Sequence, residues 1–334
     1  MNIAILGCGT MGLTYARNLG SMPGVRVSGV FDLNEERAAK AAEMCHAAIY
    51  TDLEELLAKE QPEAVAVCLP TVLHKEYVLK LAPRGVHIIC EKPAAPSVED
   101  AREMEDVCRR NGVRLFIGHV VRFFPSYRDA WRQLQSGKLG EPKMAHFKRF
   151  GTHPQGADSW YHDRSKCGGV IVDLMIHDID YARWVFGEVQ SVYASLTAGE
   201  HPGMEYAQVT LEFQSGAIAN LTGFWGYPGP FTTQFEISGE KGIIRYDSNQ
   251  IQSVELKTAY STGQGYTQGT QVPESPMNHD PYYDELRHFI DCIRTGAEPI
   301  VTIGDACRAV EIALAAEQSA TTGERVSLGG HVHE

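Results

Sequence analysis

Short apolar runs and helix-patterned stretches alternate through the first third of the 334-residue chain. The apolar runs fall at residues 2–6, 25–32, 64–69, 87–90 and 114–117, and between them residues 34–44, 74–82 and 97–111 read as helices. This alternation predicts an N-terminal α/β domain, a Rossmann-type doubly wound parallel sheet. Two helix starts are marked by Asp52 with Glu55 ahead of Leu56, and by Ser97 with Asp100. In each, the first side chain can accept from the amide three residues on. The rhythm changes after Phe123-Phe124-Pro125, which divides the chain into a first domain over 1–121 and a second over 122–334.

The second part has a different pattern. A helix over 126–135 and a strand over 143–150 precede a helix that begins near Gly169. Strand-like runs then crowd at 189–196, 206–213, 218–224, 232–238 and 242–246, with hairpin turns at Ser215-Gly216 and Gly239-Glu240-Lys241-Gly242. Within 206–213, Ala207, Val209, Leu211 and Phe213 alternate with Tyr206, Gln208, Thr210 and Glu212, so one face packs and the other is polar. The pattern predicts an α+β domain with a large open, mainly antiparallel sheet and helices on one side. Its uncovered face is a natural subunit surface, so a homodimer or homotetramer through that sheet is expected. Residues 261–276 read as a long exposed loop, and two helices over 282–294 and 305–320 close the domain.

A net charge of −12 without any Lys/Arg cluster speaks against a nucleic-acid partner. No apolar run reaches bilayer length and the first residues lack a signal-peptide pattern, so a cytoplasmic protein with no membrane partner is expected. Eight cysteines lie scattered without a Cys-x-x-Cys pair, several inside apolar runs, and read as reduced core thiols. His331 and His333 stand in a short polar tail.

Candidate chemistry begins at residues 7–12. Gly7-Cys8-Gly9-Thr10-Met11-Gly12 follows the first strand and opens a helix. Gly7 makes the tight turn, Gly9 lets backbone approach a pyrophosphate, and Gly12 lets helix and strand pack closely. Amides at the helix start, near Thr10 and Met11, then face phosphate, and Cys8 reads as a permissive loop residue. The second strand ends at Asp32, placed to bind ribose hydroxyls and to repel a 2′-phosphate, so the expected cofactor is NAD rather than NADP. Arg37, one turn on, can reach toward a phosphate. Further along, Asp173 and His177 stand four apart on a helix and share a face that Asp180 continues. Oxidation of a secondary alcohol needs an acceptor for the hydroxyl proton, and histidine suits it because its pKa lies near working pH. His177 is the candidate base. Lys92, at the carboxyl edge of the first sheet, is placed to stabilise developing alkoxide, and Asp173 to orient substrate or base. Zinc at Asp173, His177 and Asp180 lacks a thiolate or second imidazole, so no metal is expected.

In these segments the chain resembles the Gfo/Idh/MocA family, the sugar and polyol oxidoreductases that include glucose-fructose oxidoreductase and inositol dehydrogenase. The resemblance rests on the glycine loop, Leu69-Pro70-Thr71 with His74, Glu91-Lys92-Pro93, Gly118-His119-Val120-Val121-Arg122-Phe123, and the run from Gly168 to Asp180. It implies catalytic roles for Lys92, Asp173 and His177. It also implies cofactor contacts from Leu69, Pro70, Thr71, His74, Glu91, Lys92 and Pro93, the last after a cis peptide. His74 reads equally as part of a helix start. Arg122, Trp160 and Tyr283 are further substrate-binding candidates beside Lys92, Asp173 and His177, and Arg122 reads equally as an interdomain ion pair. The activity expected is NAD(P)-dependent hydride transfer between the nicotinamide and a secondary alcohol of a sugar, cyclitol or sugar derivative. The competing functions are a relative that recycles its NAD through a transient oxidation, as a hydrolase or epimerase, and a non-catalytic dinucleotide-binding regulator.

Overall fold

In the computed structural model of the chain, residues 1–154, 156–199, 203–250 and 280–329 are described. The loop expected over 261–276 and the tail with His331 and His333 lie outside the described residues.

The first unit runs β1 (Asn2–Leu6), α1 (Thr10–Gly20), β2 (Arg26–Phe31), α2 (Glu35–Cys45), β3 (Ala48–Tyr50), α3 (Leu53–Glu60), β4 (Ala64–Val67), α4 (Thr71–Leu81), β5 (His87–Glu91), α5 (Val98–Arg110) and β6 (Leu115–Gly118). All its strands are parallel, in the order β3-β2-β1-β4-β5-β6. The chain winds outward from β1 to β3 and then crosses back to β4 on the other flank of β1. Between the carboxyl ends of β1 and β4 the connections therefore leave in opposite directions and a crevice opens. The strands are apolar nearly throughout because helices cover both faces; β4 is buried at every position.

The second unit continues with α6 (Pro125–Gln135), β7 (Pro142–Gly151), α7 (Arg164–Cys167), α8 (Ile176–Phe186), β8 (Val189–Ala198), β9 (Glu205–Phe213), β10 (Ile218–Trp225), β11 (Thr232–Gly239), β12 (Gly242–Asp247), α9 (Pro281–Thr295), α10 (Ile303–Thr322) and β13 (Val326–Ser327). Its sheet has the order β12-β11-β7-β10-β9-β8-β13 and is antiparallel except where β7 and β10 run side by side in parallel. In β9 the apolar set Ala207, Val209, Leu211 and Phe213 is buried, as the alternation predicts. α8 and α10 pack on that face, and the other face carries His146, Lys148, Asn220 and Thr222 around an open depression of about 650 Å³.

Two departures from the sequence reading bear on the site. The helix expected from Gly169 opens as a wide π turn over Val170–Met175 and becomes α-helical only at Ile176. In addition α9, which follows β12 in the chain, buries Leu286, Phe289 and Ile290 in the core of the first unit beside Ile3, Ile5 and Tyr15. There Phe289 stacks on Phe116 of β6 at 4.9 Å.

Candidate active site

The crevice at the carboxyl edge of the first sheet deepens into a cleft of about 390 Å³ that reaches across to the start of α8. At one end Gly7, Gly9, Thr10 and Met11 line it. Gly7 has φ +87°, and a Cβ there would sit 2.5 Å from the Cys68 carbonyl oxygen. A Cβ on Gly12 would sit 1.9 Å from the Gly7 carbonyl oxygen, so the turn and the first turn of α1 touch backbone to backbone. Nothing lies within 4 Å above Gly9, and no side chain caps α1. The helix thus presents unsatisfied amides to open space, which is the requirement for holding a pyrophosphate.

Asp32 stands at the end of β2 as expected. Its carboxylate accepts the Cys8 amide at 2.8 Å and the Asn34 amide at 2.8 Å, which ties the glycine loop to the ribose end of the cleft. Arg37 folds back onto it, with Nη2 3.1 Å from Oδ1. Leu33 is 79% exposed on the cleft rim, a flat apolar surface where an adenine would lie. The residues therefore fit a dinucleotide from the pyrophosphate turn to the ribose-binding acid. Cys8 does not line the cleft; burial, with Asp32 nearby, pushes its thiol up to about 12, so it stays protonated.

At the other end the cleft closes on Glu91, Lys92, Asp173, His177, Trp160, Tyr161 and Tyr282. Lys92 follows β5, and its Nζ donates to Asp173 Oδ1 and to the Asp173 carbonyl oxygen, both at 2.9 Å. The Lys92–Pro93 peptide is cis. Asp173 sits in the π turn and His177 on the first turn of α8, so the pair still shares one face despite the change of winding. His177 Nδ1 is buried without a hydrogen-bond partner. Burial, with Lys92 and Arg149 nearby, pulls its pKa well below the ordinary value, so the ring is neutral and able to take a proton at pH 7.

The acids that flank His177 fix its helix rather than face the cleft. Asp178 takes a two-pronged contact from Arg149 of β7, at 2.9 and 2.8 Å. Asp180 takes another from Arg122, at 2.8 and 2.6 Å. Both arginines are almost fully buried.

Besides Cys8, five expected contacts are corrected. Arg122 does not line the cleft; it is 1% exposed and spent on Asp180, Asp305 and the Ile300 carbonyl oxygen. His74 also lies outside the lining. Its ring spans the Leu69 carbonyl oxygen at 2.9 Å and the Pro93 carbonyl oxygen at 3.0 Å, so it joins the loop after β4 to the loop that carries Lys92. Tyr283 packs on the core of the first unit, and its neighbour Tyr282 faces the cleft instead. In the sequence the two tyrosines are indistinguishable; only the phase of α9, set by Leu286 and Phe289 in the core, selects one. Leu69, Pro70 and Thr71 line the cleft, while Pro93 and Gly12 do not.

Comparison with known proteins gives the family and the fold over most of the chain. Residues 1–119 match the family model described as "Oxidoreductase family, NAD-binding Rossmann fold", and residues 132–328 match "Oxidoreductase family, C-terminal alpha/beta domain". The chain is 32% identical to scyllo-inositol 2-dehydrogenase (NAD(+)) of Bacillus subtilis (strain 168), over 97% of this chain and 95% of that one. It is 33% identical to 2,7-anhydro-N-acetylneuraminate hydratase of Mediterraneibacter gnavus, over 73% of this chain and 66% of that one. Among solved structures, GenD2 from gentamicin A biosynthesis in complex with NAD superposes with a TM-score of 0.87, at 26% identity, covering 99% of this chain and 97% of that one.

Proposed function

The chain belongs to the Gfo/Idh/MocA oxidoreductase family, and on that premise we propose that this NAD-dependent sugar or polyol dehydrogenase oxidises a secondary alcohol of a ring polyol, with inositol-like cyclitols the first substrates to try. The observation that carries the reading is the meeting of three groups at one end of the dinucleotide cleft. Lys92 and Asp173 are locked at 2.9 Å, and a neutral, half-buried His177 lies beside them.

NAD supplies the hydride acceptor when bound. His177 takes the hydroxyl proton on its cleft side as the carbon–hydrogen bond breaks. The Lys92 ammonium, fixed by Asp173, stabilises negative charge as it grows on the same oxygen. Asp173 also accepts from a neighbouring hydroxyl, which orients the ring. Trp160, Tyr161 and Tyr282 offer aromatic surface to its apolar edges. Asp32 sets the preference for NAD over NADP, and the open face of the second sheet pairs copies of the chain into a homodimer or homotetramer.

The test is a screen at 340 nm with NAD or NADP and a panel of inositols, aldoses, glycosides and nucleotide sugars. NADH appearing with a ring polyol supports the reading, and Lys92→Met then abolishes most turnover while NAD still binds. A second reading, transient oxidation with return of the hydride, draws on the hydratase relative. It is favoured by product formation without net NADH.

A further inference from the structure

Behind the catalytic pair lies an unusual concentration of polar atoms with nothing to bond. Among the described residues ten buried side-chain nitrogen and oxygen atoms lack a well-formed hydrogen bond, and seven of them belong to Tyr15, Glu91, His119, His177 and Glu285, although the Tyr15 hydroxyl comes within reach of Glu91. Buried groups of this kind are rare and mark ordered water or a catalytic duty. Here Tyr15, Glu91 and Glu285 meet at one place, and His119 follows it in the chain. Glu91 at the end of β5 is the register partner of Gly118 at the end of β6, and His119 follows directly. From the point where a Cβ on Gly118 would stand, the Tyr15 hydroxyl is 3.0 Å away, Glu285 Oε2 3.6 Å and the Glu91 carboxyl carbon 3.6 Å. Gly118 has no side chain to hold these three groups apart, and a Cβ there would already crowd the Tyr15 hydroxyl. On the other side His119 Nδ1 lies 3.9 Å from Asp180, too far for a direct bond, and the ring is an electrostatic neighbour of His177.

Resting on the reading of His177 as base, we propose that His119, Glu285 and Glu91, bridged by buried water, form a proton relay that drains the Nδ1 side of His177 and ends on Glu91. The substrate O–H bond breaks and its proton joins Nε2 of His177, while the proton on Nδ1 passes through water to His119. His119 gives up the proton on its other nitrogen toward Glu285. Glu285 accepts on one carboxyl oxygen and releases its own proton from the other to the Glu91 carboxylate. His177, His119 and Glu285 end in the charge state in which they began, and Glu91 is neutralised. That endpoint suits its position. Glu91 lines the cleft beside Lys92, where the nicotinamide ring must lie for hydride transfer, so Glu91 loses its negative charge as the ring beside it loses its positive one.

The environment agrees. Burial, with Glu91 and Asp180 as charged neighbours, pushes Glu285 well above the usual carboxyl range and keeps it a proton carrier. Burial also raises Glu91 while Lys92 pulls it back down, which leaves its proton affinity responsive to a change of charge next door. The other titratable groups that face this belt are Tyr15 of α1, Cys68 after β4, Asp173, Asp180 with its partner Arg122, and Tyr282 of α9. None of these takes the proton, since Asp173 is held by Lys92 and Asp180 by Arg122.

Two measurements test the proposal, the first without any substrate. Calorimetric titration of NAD+ and of NADH in buffers of different ionisation heat gives the protons taken up with each ligand. NADH is expected to carry in about one proton more than NAD+, and Glu91→Gln to erase the difference, by the linkage of charge to protonation. Equal uptake with both ligands overturns the endpoint. The second is the stopped-flow burst of NADH at 340 nm with the best polyol of the screen. Glu285→Gln keeps shape and neutrality but cannot hand on a proton. The burst is expected to slow at least ~10-fold near pH 7 and to recover as pH rises, in the range of lost acid–base assistance. A Glu285→Gln burst equal to the parent at every pH overturns the relay and leaves Glu285 a packing residue. Full turnover by His177→Ala instead overturns the base assignment on which the relay rests.

Discussion

Replacing Asp305 by Asn isolates the charge that ties the cleft-bearing helix α8 to α10. Asp305 is the third residue of α10 and closes a capping box with Thr302. Its Oδ2 accepts from Arg122 Nη1 at 3.2 Å and its Oδ1 from Arg183 Nη1 at 2.5 Å. Burial alone raises its pKa, but Arg122, the Thr302 amide and Arg183 outweigh it and hold the carboxyl down at about 2 against an ordinary 3.8. The side chain is 19% exposed, so screening by solvent is modest. At 1.36 kcal/mol per unit, that depression is worth about 2.4 kcal/mol of folding stability, to within about a unit of pKa. Asparagine keeps the shape and can still accept from the Thr302 amide, so the loss is mainly that of the charge. Because the folded-state pKa is depressed, the contribution is fully present above the unfolded value and fades as pH falls toward 2. Urea unfolding followed by tryptophan fluorescence should therefore show Asp305→Asn less stable by about 2 kcal/mol at both pH 7 and pH 5.5, with roughly half of that left at pH 3. A difference below ~0.5 kcal/mol at pH 7, the size of an ordinary surface pair, would refute the reasoning. So would a difference that grows on acidification.

Three further outcomes are expected. The acid limb of kcat/KM for alcohol oxidation falls below pH 6.5, because burial and Lys92 keep His177 unprotonated further down than a free imidazole; a limb above 6.5 sinks this account. Asp32→Ala removes the ribose-binding acid and releases Arg37 from it, so the NAD KM rises ~10-fold or more while NADP becomes usable, read from the two cofactors' KM values. Gly12→Ala drives a methyl group into the Gly7 carbonyl and forces loop and helix apart; it costs about 1–3 kcal/mol and removes the stabilisation that NAD gives in a thermal melt, whereas a normal NAD-induced shift contradicts the close contact.

The parallel sheet was legible because strands buried on both faces are written as unbroken apolar runs, and β9 because its two faces differ. β3 and β13, of three and two residues, are too short to make a pattern, and only their neighbours' free edges recruit them. That the cofactor turn, Asp32, Lys92, Asp173 and His177 meet along one cleft was legible because each sits at a fixed place relative to a strand end or a helix face. Arg122 stayed open between a substrate ligand and an ion pair for the opposite reason. Its partner Asp180 is 58 residues away, and nothing local tells a buried ion pair from a substrate ligand. The acids behind the site were hidden too: Glu285 sits in an ordinary amphipathic helix, and its meeting with Glu91 depends on α9 docking on the first unit.

That docking also sets a timetable for the chain as it is made. The ribosome releases β1 to β6 long before Pro281–Thr295 emerges, so the part of this face beside α1, around Phe116, waits for its cover while β7 to β12 are made. A sheet left partly uncovered invites association with other chains. The last third of the polypeptide thus acts as an internal chaperone for the first, and a ribosome that stops before α9 leaves behind a sticky, half-covered sheet.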